Sequence, residues 1–526
     1  MNHTKLISLF LTVTLLVACK PKAVVPEQYS EVPQTANIYP DYVGVTVPPN
    51  IAPLNFMVRD SLATAYVAQL QGGDAQLLAA AGEDGIVQMD STEWRQLLTA
   101  SRGADVTVTI YAKRPDGWVR FSPHVISVAE EPIDAFLSYR LIEPGYEVYR
   151  QMGLYQRNLT TFEQTPIYEN NRMYDDDENH CVNCHNYRSG STRDMLFHVR
   201  ASHGGTVIVQ DGKAHKVQIK DSTLLASAVY PSWHPRENLI AFSTNVTGQI
   251  FHVYHQEKIE VLDKGSDLLL YDVSANEISH VLRTSDDYET FPCWSPDGST
   301  LYYCNAPMGH IVPSSLSDSI RNMLLTSRYA DIRYNLMSIP FDAKTRRFGQ
   351  PRLEVDAVSD SMSISVPRVS PDGRFVLYTR GSYGNFHIWH TSSDLWVKDL
   401  ERDSCYALSE ANSPDVDSFH SWSSNGRWFA VSSRRMDSNY TRIFLAYFDK
   451  EGRARKAFVL PQEDPEMNYL LLRSYNVPEL TRDAVSISRR DLSECVLQTD
   501  GEPCTYRANP TAIIQLDGTT GASPKK

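Results

Sequence analysis

The chain has no basic stripe. Its 50 Lys and Arg stand against 63 Asp and Glu, a net charge of −13. That sets nucleic acid aside as a partner and favours a basic one. No glycine-rich phosphate loop, H-E-x-x-H pair or nucleophile elbow is present, so hydrolase readings have no specific signal to rest on. No apolar run reaches the roughly 20 residues of a spanning helix; the uncharged run at residues 6–18 stops short of it. Cysteine is scarce, 8 in 526 residues, and the C-x-x-C spacing occurs once. What remains is a chain with 42 % hydrophobic residues, long enough for two or three sizeable cores.

That single C-x-x-C is Cys181-Val182-Asn183-Cys184, and His185 follows it directly. C-x-x-C-H is the spacing of covalent c-type haem attachment. Two thiols add across the two haem vinyl groups, and the adjacent imidazole reaches the iron from one face. Cys181 and Cys184 are therefore the expected attachment residues and His185 the proximal iron ligand, within a haem segment at 171–205. The plain alternatives are a C-x-x-C disulfide or half of a zinc site, the latter with His180 nearby but without a second Cys pair. Of the other cysteines, Cys495 and Cys504 flank a turn and Cys293 and Cys304 flank a hairpin, so two disulfides are compatible with the spacing. Cys405 is left over.

At the N-terminus, Lys5 precedes the apolar run, which ends in Leu16-Val17-Ala18-Cys19. This resembles the lipobox of bacterial lipoproteins. The resemblance implies a signal peptide at 1–18, acylation of Cys19 and attachment to a membrane through lipid. The plain alternative is a secretory signal with an incidental cysteine. Lys20-Pro21-Lys22 carries no acidic run, which favours an outer-membrane anchor facing the periplasm. Export fits the haem reading, because this attachment is carried out outside the cytoplasm.

Residues 19–50, rich in Pro, Val and polar side chains, read as an extended tether. Residues 51–132 read as a small β-sandwich-like domain with strands near 55–59, 65–69, 105–111 and 118–121 and a helix over 91–100. It holds no catalytic constellation.

From 133 to 526 the chain repeats. Tyr230-Pro231-Ser232-Trp233, Phe291-Pro292-Cys293-Trp294, Val366-Pro367-Arg368-Val369 and Phe419-His420-Ser421-Trp422 each lead into a Ser-Pro-Asp-Gly type turn and a second apolar strand. Four strands per repeat, at intervals of roughly 50 to 75 residues, is a β-propeller signature. The repeats resemble the WD40-like PD40 repeats of TolB-type propellers over about the last 300 residues. The fold class expected is all-β, with about six blades. Residues 181–220 form one of them, C-x-x-C-H replacing Pro-Ser-Trp, and 469–480 supplies a closing strand. The Trp residues of the repeats read as blade core.

This register places the haem motif beside loops that carry His198, His203, His252, His255, His310, His387 and His390. The expected haem position is that rim, with His252, His203 or His198 opposite His185, and Met195 or Met173 as sulfur alternatives. Arg200, Arg380, Arg434 and Arg435 are candidates to pair with the propionates. Residues 175–178 (Asp-Asp-Asp-Glu) read as a solvated acidic loop.

The leading functional expectation is electron transfer or redox sensing with a protein partner docked on the propeller face. The TolB resemblance implies the alternative of an envelope scaffold whose haem is structural or absent. A peroxidase-like enzyme with an open iron position is a third reading.

Overall fold

The computed structural model describes residues 23–143, 151–171, 180–255, 257–498 and 500–515. The expected signal peptide, Cys19, Met173 and the acidic run at 175–178 lie outside them.

The expected tether is part of the N-terminal fold. Ser30–Val32 pairs in parallel with Gly117–Phe121, Ile38–Tyr39 pairs with Phe56–Val58, and Thr46–Val47 pairs with His124–Val128. The physical reason is that Ile38, Tyr42, Val45 and Val47 go into the core, while the prolines and polar residues occupy the bends between. The unit comprises a seven-stranded sheet, a three-stranded sheet and the helix Ser91–Ala100. Asp90, just ahead of the helix, accepts from the Thr92 and Glu93 amides. Trp94, Leu97 and Leu98, three and four positions apart, turn inward.

Six antiparallel sheets of at least four strands follow among the described residues, each here called a blade. Their inner strands are Ser474–Thr481, His180–Arg188, Ala228–Trp233, Asp287–Trp294, Ser363–Val369 and Asp417–Trp422 for blades one to six. Each inner strand touches the next, and the sixth touches the first, so the ring is closed. The closing strand Ser474–Thr481 pairs with Phe136–Ile142, joining the end of the chain to the start of blade one. Trp233, Trp294 and Trp422 are buried in blade core, as the repeat pattern implied.

One backbone feature recurs in all six inner strands. Cys184, Tyr230, Phe291, Val366, Phe419 and Val477 take φ of 49°, 49°, 52°, 52°, 49° and 49°. Each is a non-glycine residue in the left-handed region, which costs about 1–2 kcal/mol. Two positions further on, a side chain accepts a backbone N–H from the next blade. Glu479 Oε1 accepts from Tyr187 at 3.0 Å, Asn186 Oδ1 from Trp233 at 3.2 Å, Ser232 Oγ from Trp294 at 3.2 Å, and Ser421 Oγ from Leu480 at 3.2 Å. Cys293 makes the corresponding bond to the Val369 backbone. Arg368 occupies this position in blade five and has no acceptor atom. There Trp422 Nε1 donates to the Arg368 carbonyl instead, at 3.0 Å. The bulge thus turns each strand so that its next side chain can stitch blade to blade around the channel.

Two appendages matter for the site. In blade three, Leu239–Phe251 and Ile259–Asp272 pair as a long hairpin arm. The C-terminal strands Glu502–Pro503, Thr505–Tyr506 and Ile513–Gln515 add in parallel to the outer edges of blades two and three, covering edges that would otherwise be open.

Candidate functional site

A cavity of about 1160 Å³ occupies the channel mouth, somewhat larger than the roughly 300–1,000 Å³ that small-molecule and cofactor sites usually span. Cys181, Cys184 and His185 all line it. The strand His180–Arg188 presents them because the bulge at Cys184 breaks the two-residue alternation, with the register shifting between Asn183 and Asn186.

Cys181 is buried, its Sγ 3.5 Å from Met152 Sδ, and burial pushes its thiol up. His185 is 4 % exposed. Burial, followed by the Arg140 guanidinium, pushes its imidazole down to about 3, against a hydrogen bond with the Val477 backbone. The ring is therefore neutral, and its buried Nε2 has no hydrogen-bond partner. The Glu479 Oε2 atom lies 4.0 Å from it. Burial pushes the Glu479 carboxyl up to about 7, against the Tyr187 amide bond.

Of the expected opposing ligands, only His198 lines the cavity. Its Nδ1 bonds Thr206 Oγ1 at 2.8 Å, and its buried Nε2 has no partner. His252 and His203 do not line the cavity. His252 sits on the arm, against the rings of His255 and Tyr329. His203 lies edge-on to His180, whose Nε2 is bonded to the Tyr168 hydroxyl at 2.7 Å. Met195 is wholly buried in blade core. His387 and His390 are committed to Ser365 and Glu260.

Among the cations, Arg200 and Arg434 line the cavity, but Arg380 pairs with Asp360 and Arg435 with Asp417. Sequence reasoning missed Arg140, Arg368, Met152 and Glu479. They come from other blades, and no local spacing marks them. Arg140 donates to Asn183 Oδ1 at 2.7 Å and Asn476 Oδ1 at 3.1 Å, which ties blade one to the motif strand. Among the described residues the lining carries Arg140, Arg200, Lys220, Arg368 and Arg434 against one carboxylate, Glu143, itself paired with Arg473 at 2.5 Å.

All seven described cysteines are free thiols, so neither expected disulfide forms. The bulge in blade four sets Cys293 opposite Tyr302 and Cys304 opposite Thr290. Cys495 packs into the core from the helix Arg489–Gln498, while Cys504 lies against the Lys220 carbonyl. Among the described residues no group of three or more His, Cys, Asp or Glu is placed to hold a metal ion, and no helix is long and apolar enough to cross a membrane.

No protein-family model and no curated protein matches the chain. Among solved structures it is similar to an oligogalacturonate lyase in complex with manganese, at 13 % identity over 59 % of this chain and 73 % of that one, with a TM-score of 0.34. It is also similar to prolyl oligopeptidase B from Galerina marginata, at 9 % identity over 70 % and 53 %, TM-score 0.33. A prolyl endopeptidase structure gives 10 % over 69 % and 49 %, TM-score 0.31. The chain spans about half the length of the two peptidases.

Proposed function

We propose that this is an exported, lipid-anchored propeller protein of TolB-like type that carries one covalent haem c and serves electron transfer or redox sensing with a protein docked on the cavity face. The observation that carries the reading is the convergence of Cys181, Cys184 and His185 on one wall of the cavity, with His185 Nε2 neutral, buried and unpartnered. These residues suit the group. Two free thiols flank the ligand, and the Val477 backbone hydrogen bond orients the imidazole as an outer-shell partner orients a metal-bound histidine. Haem, when bound, supplies a one-electron iron couple. Arg140 and Arg200 line the cavity beside the motif, and the propionates, on the haem edge away from the vinyl groups, would need cations elsewhere on its wall. His198 is the residue offered opposite His185. Cys19 is the proposed site of acylation.

The deciding measurement is a pyridine haemochrome spectrum with intact mass on protein matured in a competent host. One haem c per chain and a mass increase from acylation of Cys19 are expected; a colourless sample with both thiols free would overturn the reading. Low-temperature EPR should give a low-spin iron that changes in His198→Ala and is unchanged in His252→Ala and His203→Ala.

A docking scaffold with a structural haem, or none, is a second reading. It is favoured by the arm tip, where Phe251, Val253 and Tyr254 are 70 %, 78 % and 97 % exposed, an apolar group of the kind that marks interaction sites. Partner binding that survives loss of the haem would select it.

A further inference from the structure

The cavity wall also holds a cation, Arg434, that has no acidic partner within ion-pair distance among the described residues. Arg434 follows the second strand of blade six, which blade one separates from the motif's blade. It is 8 % exposed, its guanidinium lies 4.0 Å over the Trp389 ring, and its Nε has no hydrogen-bond partner. Among the described residues its side chain makes no ion pair. Of the nearby carboxylates, Asp437 lies 3.8 Å from Arg442, Asp415 accepts from Ser438 and Val416, and Glu257 accepts from the Thr391 amide and hydroxyl on Oε1, while its buried Oε2 has no hydrogen-bond partner among the described residues. They act on Arg434 through longer-range attraction only, and burial outweighs them, pushing the guanidinium down to about 10. An uncompensated buried charge is costly, and every other arginine noted above outside the cavity has an acidic partner. Besides Trp389, the apolar and aromatic residues that line the same cavity include Phe251, Phe386, Ile388 and Tyr440. Arg380 provides the contrast. It stacks on Trp396 at 4.4 Å in the same manner, but bonds Asp360.

We infer that this wall is a binding subsite for an organic carboxylate with an apolar, planar body, the carboxylate paired with Arg434 and the body held among Trp389, Phe386 and Tyr440. The guanidinium supplies a planar donor edge that matches a carboxylate, and the aromatic wall supplies the contact area. The subsite does not rest on the haem reading. Its occupant is either a free planar carboxylate or a propionate of a haem attached across the cavity.

Isothermal titration of the full chain with 2-naphthoate, and with the uncharged naphthalene-2-carboxamide, tests it. Naphthoate should bind at least tenfold more tightly than the amide. Arg434→Gln should weaken naphthoate at least tenfold and leave the amide unchanged, Arg434→Lys should retain part of the preference, and Arg380→Gln should behave as wild type. Melting curves check that each variant is folded. Binding by haem-loaded protein identifies a free carboxylate as the occupant. Binding only by chain made without haem maturation identifies the propionate, and both support the subsite. Equal affinity for acid and amide, an unaffected Arg434→Gln, or no binding by either form would overturn it, whatever the haemochrome spectrum shows.

Discussion

Glu479 is where the ring and the site meet, since it accepts the Tyr187 amide and stands beside His185. Glu479→Ala should cost about 1–3 kcal/mol by leaving a buried N–H unsatisfied, read from urea unfolding, whereas Glu479→Gln keeps an acceptor and should cost less. Protonation adds a pH signature. His185, His198, His387 and His420 are all buried and held down to about 3. Each takes up its proton near pH 6.5 when unfolded, so acid favours the unfolded chain. Their contribution to stability is complete above pH about 6.5 and is lost as pH falls toward 3. Glu479, raised to about 7, acts in the opposite sense, its contribution shrinking as pH rises from about 4.5 to 7. Between pH 7 and pH 5, His420→Gln should therefore lose less stability than wild type and Glu479→Gln more, measured as shifts in urea midpoint. The motif triplet was legible here because its chemistry needs a fixed spacing. Arg140, Arg368 and Glu479 were not, since Arg140 and Glu479 join the site from blade one and Arg368 from blade five.

Among elements, the arm of blade three has the most to reveal. It reaches blade five, where Glu260 bonds His390 Nε2 at 2.8 Å and the Tyr383 hydroxyl at 2.6 Å. Few core contacts reach its tip, so these bonds should set its local stability. His390→Ala should raise hydrogen exchange across 246–262 by tenfold or more while the global melting temperature moves little. Equal exchange in both proteins would mean that the strand pairing alone holds the arm. The helix Ser91–Ala100 was readable because its apolar residues recur at helical spacing, and the repeat turns were readable because Pro and Gly fix their corners. In the turn after Trp294, Ser295 Oγ bonds Asp297 and Gly298 takes φ 76°. The strands within residues 30–47 were hidden, being two or three residues long and set among prolines, and only their partners make them strands.

For the molecule as a whole, closure depends on Ser474–Thr481. A chain ending at residue 473 would leave Phe136–Ile142 without its inner neighbour and blade one open to the channel. Such an edge invites pairing with other chains, so this truncation should elute as aggregate on size exclusion while the full chain is monodisperse; a cooperative, monomeric truncation would contradict the closure argument. The N-terminal unit shares one core with blades one, five and six, with Trp428 Nε1 donating to the Glu131 carbonyl at 2.9 Å, so it buttresses those three blades. The net charge of −13 gave no sign of the cationic interior, because composition sums over surface and cavity alike. Local periodicity and turn chemistry in the chain specify the repeated strand pairs, their order and the position of C-x-x-C-H within one of them, because each depends on residues a few positions apart. Which histidine faces that motif, which arginines share its cavity and whether the cysteines pair were decided by packing between distant blades, where the six bulges and their cross-blade bonds set what the channel encloses.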